Sequence, residues 1–571
     1  MRLAVRIVTR RRKDRPLISA VEHTLPGKWF NPLVRVVALV VLAIVAIVGS
    51  WAVATLLLAT PAGTVAAGAA PRLVAEAVAA GLSHVYDGEF EYVVGGGVAV
   101  FDCNADALPD LYFAGGVGPA GLFVNRSTTR GALRFERSAS PTTDLGAVTG
   151  AYPIDIDSDG LPDLAVLRRG ENVLLRGTGE CRFERANETW SFDGGHDWTT
   201  AFSARWEHGA DWPTLAFGNY LDDEASGGDE RQCRDNVLLR PAAPTGFGAP
   251  ETLSPGWCSL SMLFSDWDRS GRRDLRVSND RHYYTDESAG QEQLWRIDPR
   301  TEPREYTEAH GWQSVRVWGM GIASHDVTGD GYPDYYLTSQ GDNKLQALAD
   351  GADRPRFEDL GLERGVTAHR PYTGDTEMPS TAWHDEFDDV NNDGWIDLFV
   401  AKGNVEAQLD HAARDPSTLL LGQPDGTYVE AGMEAGLADF GRARGAAVVD
   451  LNEDGLLDLV IVDRRENVRL YRNVGSGSEL QPVVMGSWLG VRVVQSGNNR
   501  DAIGAWIEVR VGSRTQLREV TVGGGHAGGQ LGPLHFGLGG ATAAEVRVTW
   551  PDGQIGSWQS VPADQTVEIG R

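Results

Sequence analysis

Short apolar runs rich in β-branched residues alternate along most of this chain with turns that carry oxygen-bearing side chains. The clearest case is VVDLNEDGLLDLVIV, residues 448–462, where aliphatic stretches enclose Asp450, Asn452, Asp454 and Asp458 at positions 1, 3, 5 and 9 of a loop that turns at Gly455. Both flanks read as strand. Oxygen donors at alternate positions suit a hard cation such as calcium, with Gly supplying the sharp turn. An EF-hand would need Glu at position 12 and helices on both sides, but position 12 is Ile461. The pattern predicts a calcium loop between two strands.

The pattern recurs. FDCNADALPDLYF places Asp102, Asn104, Asp106 and Asp110 in the same positions, and IDIDSDGLPDLAV places Asp155, Asp157, Asp159 and Asp163. FSDWDRSGRRDLRV supplies Asp266, Asp268, Ser270 and Asp274, and HDVTGDGYPDYYL supplies Asp326, Thr328, Asp330 and Asp334. DDVNNDGWIDLFV supplies Asp389, Asn391, Asp393 and Asp397. A degenerate copy, LAFGNYLDDE with Asn219, Asp222 and Asp223, completes the series and is expected to bind nothing. The starts at 102, 155, about 219, 266, 326, 389 and 450 give a period of roughly 60 residues. That length suits a blade of four short strands, so the expected fold is an all-β, seven-bladed β-propeller over residues 82–478. Alternating strands such as WIEVRV and EVRVTW predict a small β-sandwich-like domain over 479–571.

Charge changes the picture at one end. The net charge of −27 excludes nucleic acid as a partner, because neutralising phosphate needs a basic face. Residues 1–35 are nevertheless basic, and the uncharged run Val36–Ala59 that follows is long enough to span a bilayer. The expected arrangement is a single transmembrane helix with a cytoplasmic leader and the bulk of the chain outside the cytoplasm, at the cell membrane. Residues 60–81 read as a linker with a short helical stretch, RLVAEAVAA. Cys103, Cys181, Cys233 and Cys258 all lie beyond the run and permit two disulfides. Cys233–Cys258, which closes the shortest loop, is the expected pair.

The Asp-rich loops followed by strands resemble FG-GAP repeats, the type found in the integrin α-chain propeller. WGMGIASHDVTGDGYPDYYLTS and RGAAVVDLNEDGLLDLVIVDRRENVRLYRN are similar to the cartilage acidic protein family. GNNRDAIGAWIEVRV, LREVTVGGGHAGGQ, LHFGLGG and VRVTWPDG resemble the ASPIC/UnbV domain that follows the propeller in that family. Two positions depart from the pattern: Ala107 replaces the turn Gly of the first loop, and Ala502 stands where the family usually has Gly.

The resemblance and the residues imply several structural calcium ions, because three or four carboxylates in one loop repel each other without a cation. Magnesium prefers fewer protein ligands. No nucleophile elbow, zinc-protease or nucleotide-binding motif stands in a suitable context. His384, beside Asp385, Glu386 and Asp388, reads as a strand end leading into a calcium loop, and His526 and His535 read as structural. The expected function is a membrane-anchored binding or scaffolding module for an extracytoplasmic protein or glycan. The alternative is an enzyme or accessory protein of secondary-metabolite biosynthesis or self-protection, with a site in the propeller channel. Asn125 and Asn187 stand in glycosylation sequons.

Overall fold

Strands buried along their whole length must be covered on both faces, and that requirement organises this chain. Val148–Ile154, Thr199–Arg205 and Ser259–Ser265 are buried at every position, whereas Phe183–Arg185 is largely exposed. Each belongs to a four-stranded antiparallel sheet in which the first strand lies deepest and the last meets solvent. The computed structural model describes residues 68–571 except 223–231, 243–244, 281–289, 368–377, 406–411, 439, 479–480 and 484. The leader, the apolar run 36–59 and Asp223 lie outside the described residues. Among those residues no helix is long and apolar enough to cross a membrane.

Among the described residues seven sheets of this kind, two of them with a fifth strand, follow one another. Their first strands are Val98–Phe101, Val148–Ile154, Thr199–Arg205, Ser259–Ser265, Gly319–His325, Ala382–Asp388 and Ala443–Val449. Each lies against the first strand of the next sheet, and Ala443–Val449 lies against Val98–Phe101. Hydroxyls stitch some of these contacts: Thr149 Oγ1 donates to Thr199 O and Thr200 Oγ1 to Ser259 O, both at 2.6 Å. The seventh sheet is completed by Pro71–Ala75, antiparallel to Arg469–Ser478 with Leu73 opposite Asn473. The helical stretch expected over RLVAEAVAA is therefore a strand and a turn, and this part of the fold starts before residue 82. Burying Leu73 and pairing with an open sheet edge outweigh the helix propensity of the Ala-rich run.

Both disulfides join neighbouring sheets. Cys103–Cys181 ties the first sheet to the second, and Cys233–Cys258 ties the third to the fourth. Beyond residue 486 a three-stranded and a four-stranded sheet share a core of Leu489, Ile507, Val509, Phe536 and Val546.

This last domain sends one segment back through the middle of the ring of first strands. Val522, Gly523, Gly525 and Gly528 form bridges to Ala204, Leu263, Ile322 and Ala151, and Gly529–Leu531 pairs in parallel with Ala99–Phe101. His526 N–H donates to His384 Nδ1 at 3.1 Å on the sixth sheet. His526 Nε2 accepts the Gly95 amide at 3.1 Å, and its ring lies 4.9 Å from Trp383. Burial lowers the His526 pKa to about 3, so the ring is neutral. The axis, where the sequence left room for a catalytic channel, is filled by backbone.

Candidate metal centres

All six complete Asp loops connect the first strand of a sheet to its second, and so stand at one end of their sheets. The third sheet shows why its copy looked degenerate. Its equivalent connection is Trp206–Pro213, between Thr199–Arg205 and Thr214–Asn219, so Asn219 sits at the opposite end of the sheet. Asn219 Oδ1 accepts from Thr199 Oγ1 at 2.8 Å and its amide donates to Asp235 O, which is the role of a strand-end clasp.

The complete loops share one wiring. The position-1 carboxylate accepts the amide of the turn residue at position 6 in every loop: Ala107, Gly160, Gly271, Gly331, Gly394 and Gly455, at 2.6–3.1 Å. That residue is left-handed throughout, with φ of 83–90° at the five glycines and 70° at Ala107. Ala107→Gly is expected to stabilise the protein by about 0.5–1 kcal/mol, read as a raised melting temperature, because only Gly adopts this conformation without strain.

Position 9 does something the sequence did not indicate. Asp110, Asp163, Asp397 and Asp458 each accept one amide from their own loop, at Cys103, Ile156, Val390 and Leu451. Their second oxygen accepts an amide from the third strand, at Asn125, Gly177, Gly422 and Asn473. These buried carboxylates brace the loop against the sheet. The fifth loop differs: Asp334 Oδ2 accepts from Thr328 N at 2.8 Å, while Asp334 Oδ1 and Asp326 Oδ1 are buried without a hydrogen bond. Asn452 Oδ1 of the seventh loop is likewise buried and unsatisfied.

Oxygen donors left over inside an anionic loop fit a calcium ion better than a softer metal. One oxygen each from Asp155, Asp157 and Asp159 falls within 4.8 Å of the others. Burial pushes Asp110, Asp155 and Asp334 up to about 7, and Asp266, Asp326 and Asp450 up to about 6. Asp163, Asp389, Asp397 and Asp458 are driven well above the carboxylate range by the same cause. The loops carry charge that the protein alone neutralises poorly.

Arg176 bridges two carboxylates of the second loop, and the fourth loop is the other exception. Arg272 binds Asp268 Oδ2 and Asp274 Oδ1, both at 3.1 Å, and Trp267 and Tyr306 donate to Asp274 Oδ2, both at 2.9 Å. Its arginines also face the last domain, with Arg269 stacked 4.3 Å over Trp506 and Arg273 paired with Glu519. Other loops meet that domain too: Ser158 Oγ accepts the Asn499 amide at 2.9 Å, and His535 Nε2 lies 2.6 Å from Asn392 Oδ1. The sixth loop is enclosed from a second side, where the Gly68 amide donates to Asp393 Oδ2 at 2.7 Å.

The acids beside His384 face different partners. Glu386 accepts the Val448 amide at 3.0 Å and Asp388 accepts Arg518, so the acids beside His384 do not converge on one point. Asn125 and Asn187 are buried with their amides bonded to main-chain carbonyls, which closes both sequons to modification in the folded protein.

A chain of oxygen-loop repeats in four-stranded sheets, followed by a small two-sheet domain, defines the class. Residues 389–461 match the FG-GAP-like repeat family and residues 495–571 match the ASPIC and UnbV family. The resemblance to the cartilage acidic protein family is borne out. Cartilage acidic protein 1 of Mus musculus is 27% identical over 249 residues, which is 43% of this chain and 36% of that protein. The Homo sapiens protein of the same name is 27% identical over 239 residues, 42% of this chain and 33% of its own length. The matched region thus spans about a third of the length of these curated relatives. Among solved structures, BBS1N in complex with ARL6DN aligns at a TM-score of 0.39 and 10% identity, over 73% of this chain and 100% of that one.

Proposed function

We propose that this protein is a membrane-tethered, extracytoplasmic binding module: a seven-bladed propeller held in shape by calcium, which presents one face to a protein or glycan. The observation that carries this reading is the placement of the last domain. It lies against the Asp-loop ends of the second, fourth and sixth sheets, and its Gly-rich segment fills the axis. The face offered to a partner is the opposite end of the sheets, on the scaffold that calcium holds in shape. The neighbour relations of the seven first strands support the blade count, and the uncharged run at 36–59 supports the tether. Filling the axis removes the place where a channel enzyme would hold substrate.

The test is a cross-linking pull-down from intact cells expressing the full chain, in calcium and in chelator. One reproducible extracytoplasmic partner, lost in chelator, is the expected result. Turnover of a small substrate with no captured partner would overturn it.

A further inference from the structure

A carboxylate loop is free for a metal only where no cation of the protein already occupies it, and strand register puts that choice in the same place in every sheet. The residue after position 9 pairs with Phe123, Leu175, Trp295, Gln346, Leu420 or Tyr471 on the third strand. The next residue on that strand is Val124, Arg176, Arg296, Ala347, Leu421 or Arg472. Three sheets therefore carry an arginine at one equivalent position, and the three behave differently.

Arg176 enters its loop. Its Nε donates to Asp157 Oδ2 at 2.7 Å and its Nη2 to Asp159 Oδ2 at 2.8 Å, bridging positions 3 and 5. Arg296 turns instead to Asp298 at 2.7 Å, and that loop is filled by Arg272. Arg472 is drawn off by Glu76, with Nε and Nη2 each 2.9 Å from one carboxylate oxygen. Glu76 directly follows Pro71–Ala75, the strand that completes the seventh sheet, and its amide donates to Leu470 O at 2.8 Å. With Arg472 held there, the seventh loop keeps Asn452 Oδ1 buried and without a donor.

We propose that Arg176 is the resident cation of the second loop, and that Glu76 keeps the seventh loop open to calcium by holding Arg472 away from Asp454. A guanidinium satisfies two carboxylates with fixed geometry, and an entering divalent ion must first displace it against like-charge repulsion. Completion of the seventh sheet and metal binding at its loop then favour each other, since both depend on where Arg472 points. This rests on the calcium reading above.

Calcium titration calorimetry of the full chain in detergent tests it. Arg176→Gln should bind one more calcium ion than wild type. Glu76→Gln should weaken one site by about tenfold, and adding Arg472→Gln to it should restore that site. Near-UV circular dichroism checks that each variant is folded. If Glu76→Gln fails to fold, the Arg176→Gln isotherm and the double variant decide. Wild-type stoichiometry in Arg176→Gln, or an unchanged isotherm in Glu76→Gln, overturns the proposal while leaving calcium binding intact. A wild-type chain that binds no calcium overturns the underlying reading.

Discussion

Chelating calcium is expected to lower the melting temperature of the full chain by about 5 °C, and the loss should grow as pH rises from about 5 to 8. One site held at ten times its dissociation constant contributes about 1.4 kcal/mol, so four open loops contribute about 6 kcal/mol. At an unfolding entropy of about 2 cal/mol/K per residue, a body this large shifts by roughly 1 °C per kcal/mol. The pH dependence follows from burial. In chelator the open-loop acids titrate near 6 to 7, as Asp326, Asp334 and Asp450 do. Their pKa is raised above the unfolded value of about 4, so the folded state binds more protons than the unfolded chain. Stability is then full below about pH 4 and is lost as pH climbs through 6 and 7. Saturating calcium removes this trend, because the ion takes the place of the protons. Scanning calorimetry with and without chelator at several pH values measures both effects. Midpoints that coincide across all conditions would leave the loops no role as metal sites.

The Asp loops were legible because their constraint is local: donors at alternate positions, a left-handed turn residue and a strand on each side all fall within one short window. Elements made by distant residues were not. RLVAEAVAA reads as helix until the strand partner of its first residues, almost 400 residues later, is known. An oxygen-rich stretch at Asn219 mimics the third connection, while the true turn at Trp206–Pro213 carries no Asp ladder. Spacing alone makes position 9 a ligand. Its bond to the third strand depends on a residue 14 to 25 positions away, as Gly177 is to Asp163 and Gly422 to Asp397. The Gly-rich segment through the axis has no periodicity, since its main-chain partners lie on six different sheets and not on one repeating neighbour. Arg176 and Arg472 look alike in sequence, and only Glu76 separates them.

Gly528→Val is expected to cost about 3 kcal/mol or more and to detach the last domain from the ring. The reason is how closely backbones approach on the axis. A Cβ on Gly528 would overlap the Val98 carbonyl, and side chains at Gly97 or Gly150 would strike the Ala527 carbonyl. Backbone faces backbone there, so nothing flexible can move aside. Ala527 itself is left-handed, with φ of 59°, which fixes the direction of the turn. His526 next to it is fully buried with both ring nitrogens facing polar main-chain groups. Lifting the segment by even an ångström would break those contacts together with the parallel pairing of Gly529–Leu531. Gly532, a few residues on, has open space at its Cβ position, so Gly532→Val should stay within about 0.5 kcal/mol of wild type. Thermal melts of the two variants, with limited proteolysis to follow release of the last domain, distinguish an integral axis from a loosely docked tail. Equal melting and equal resistance in both would mean that the ring closes without its plug.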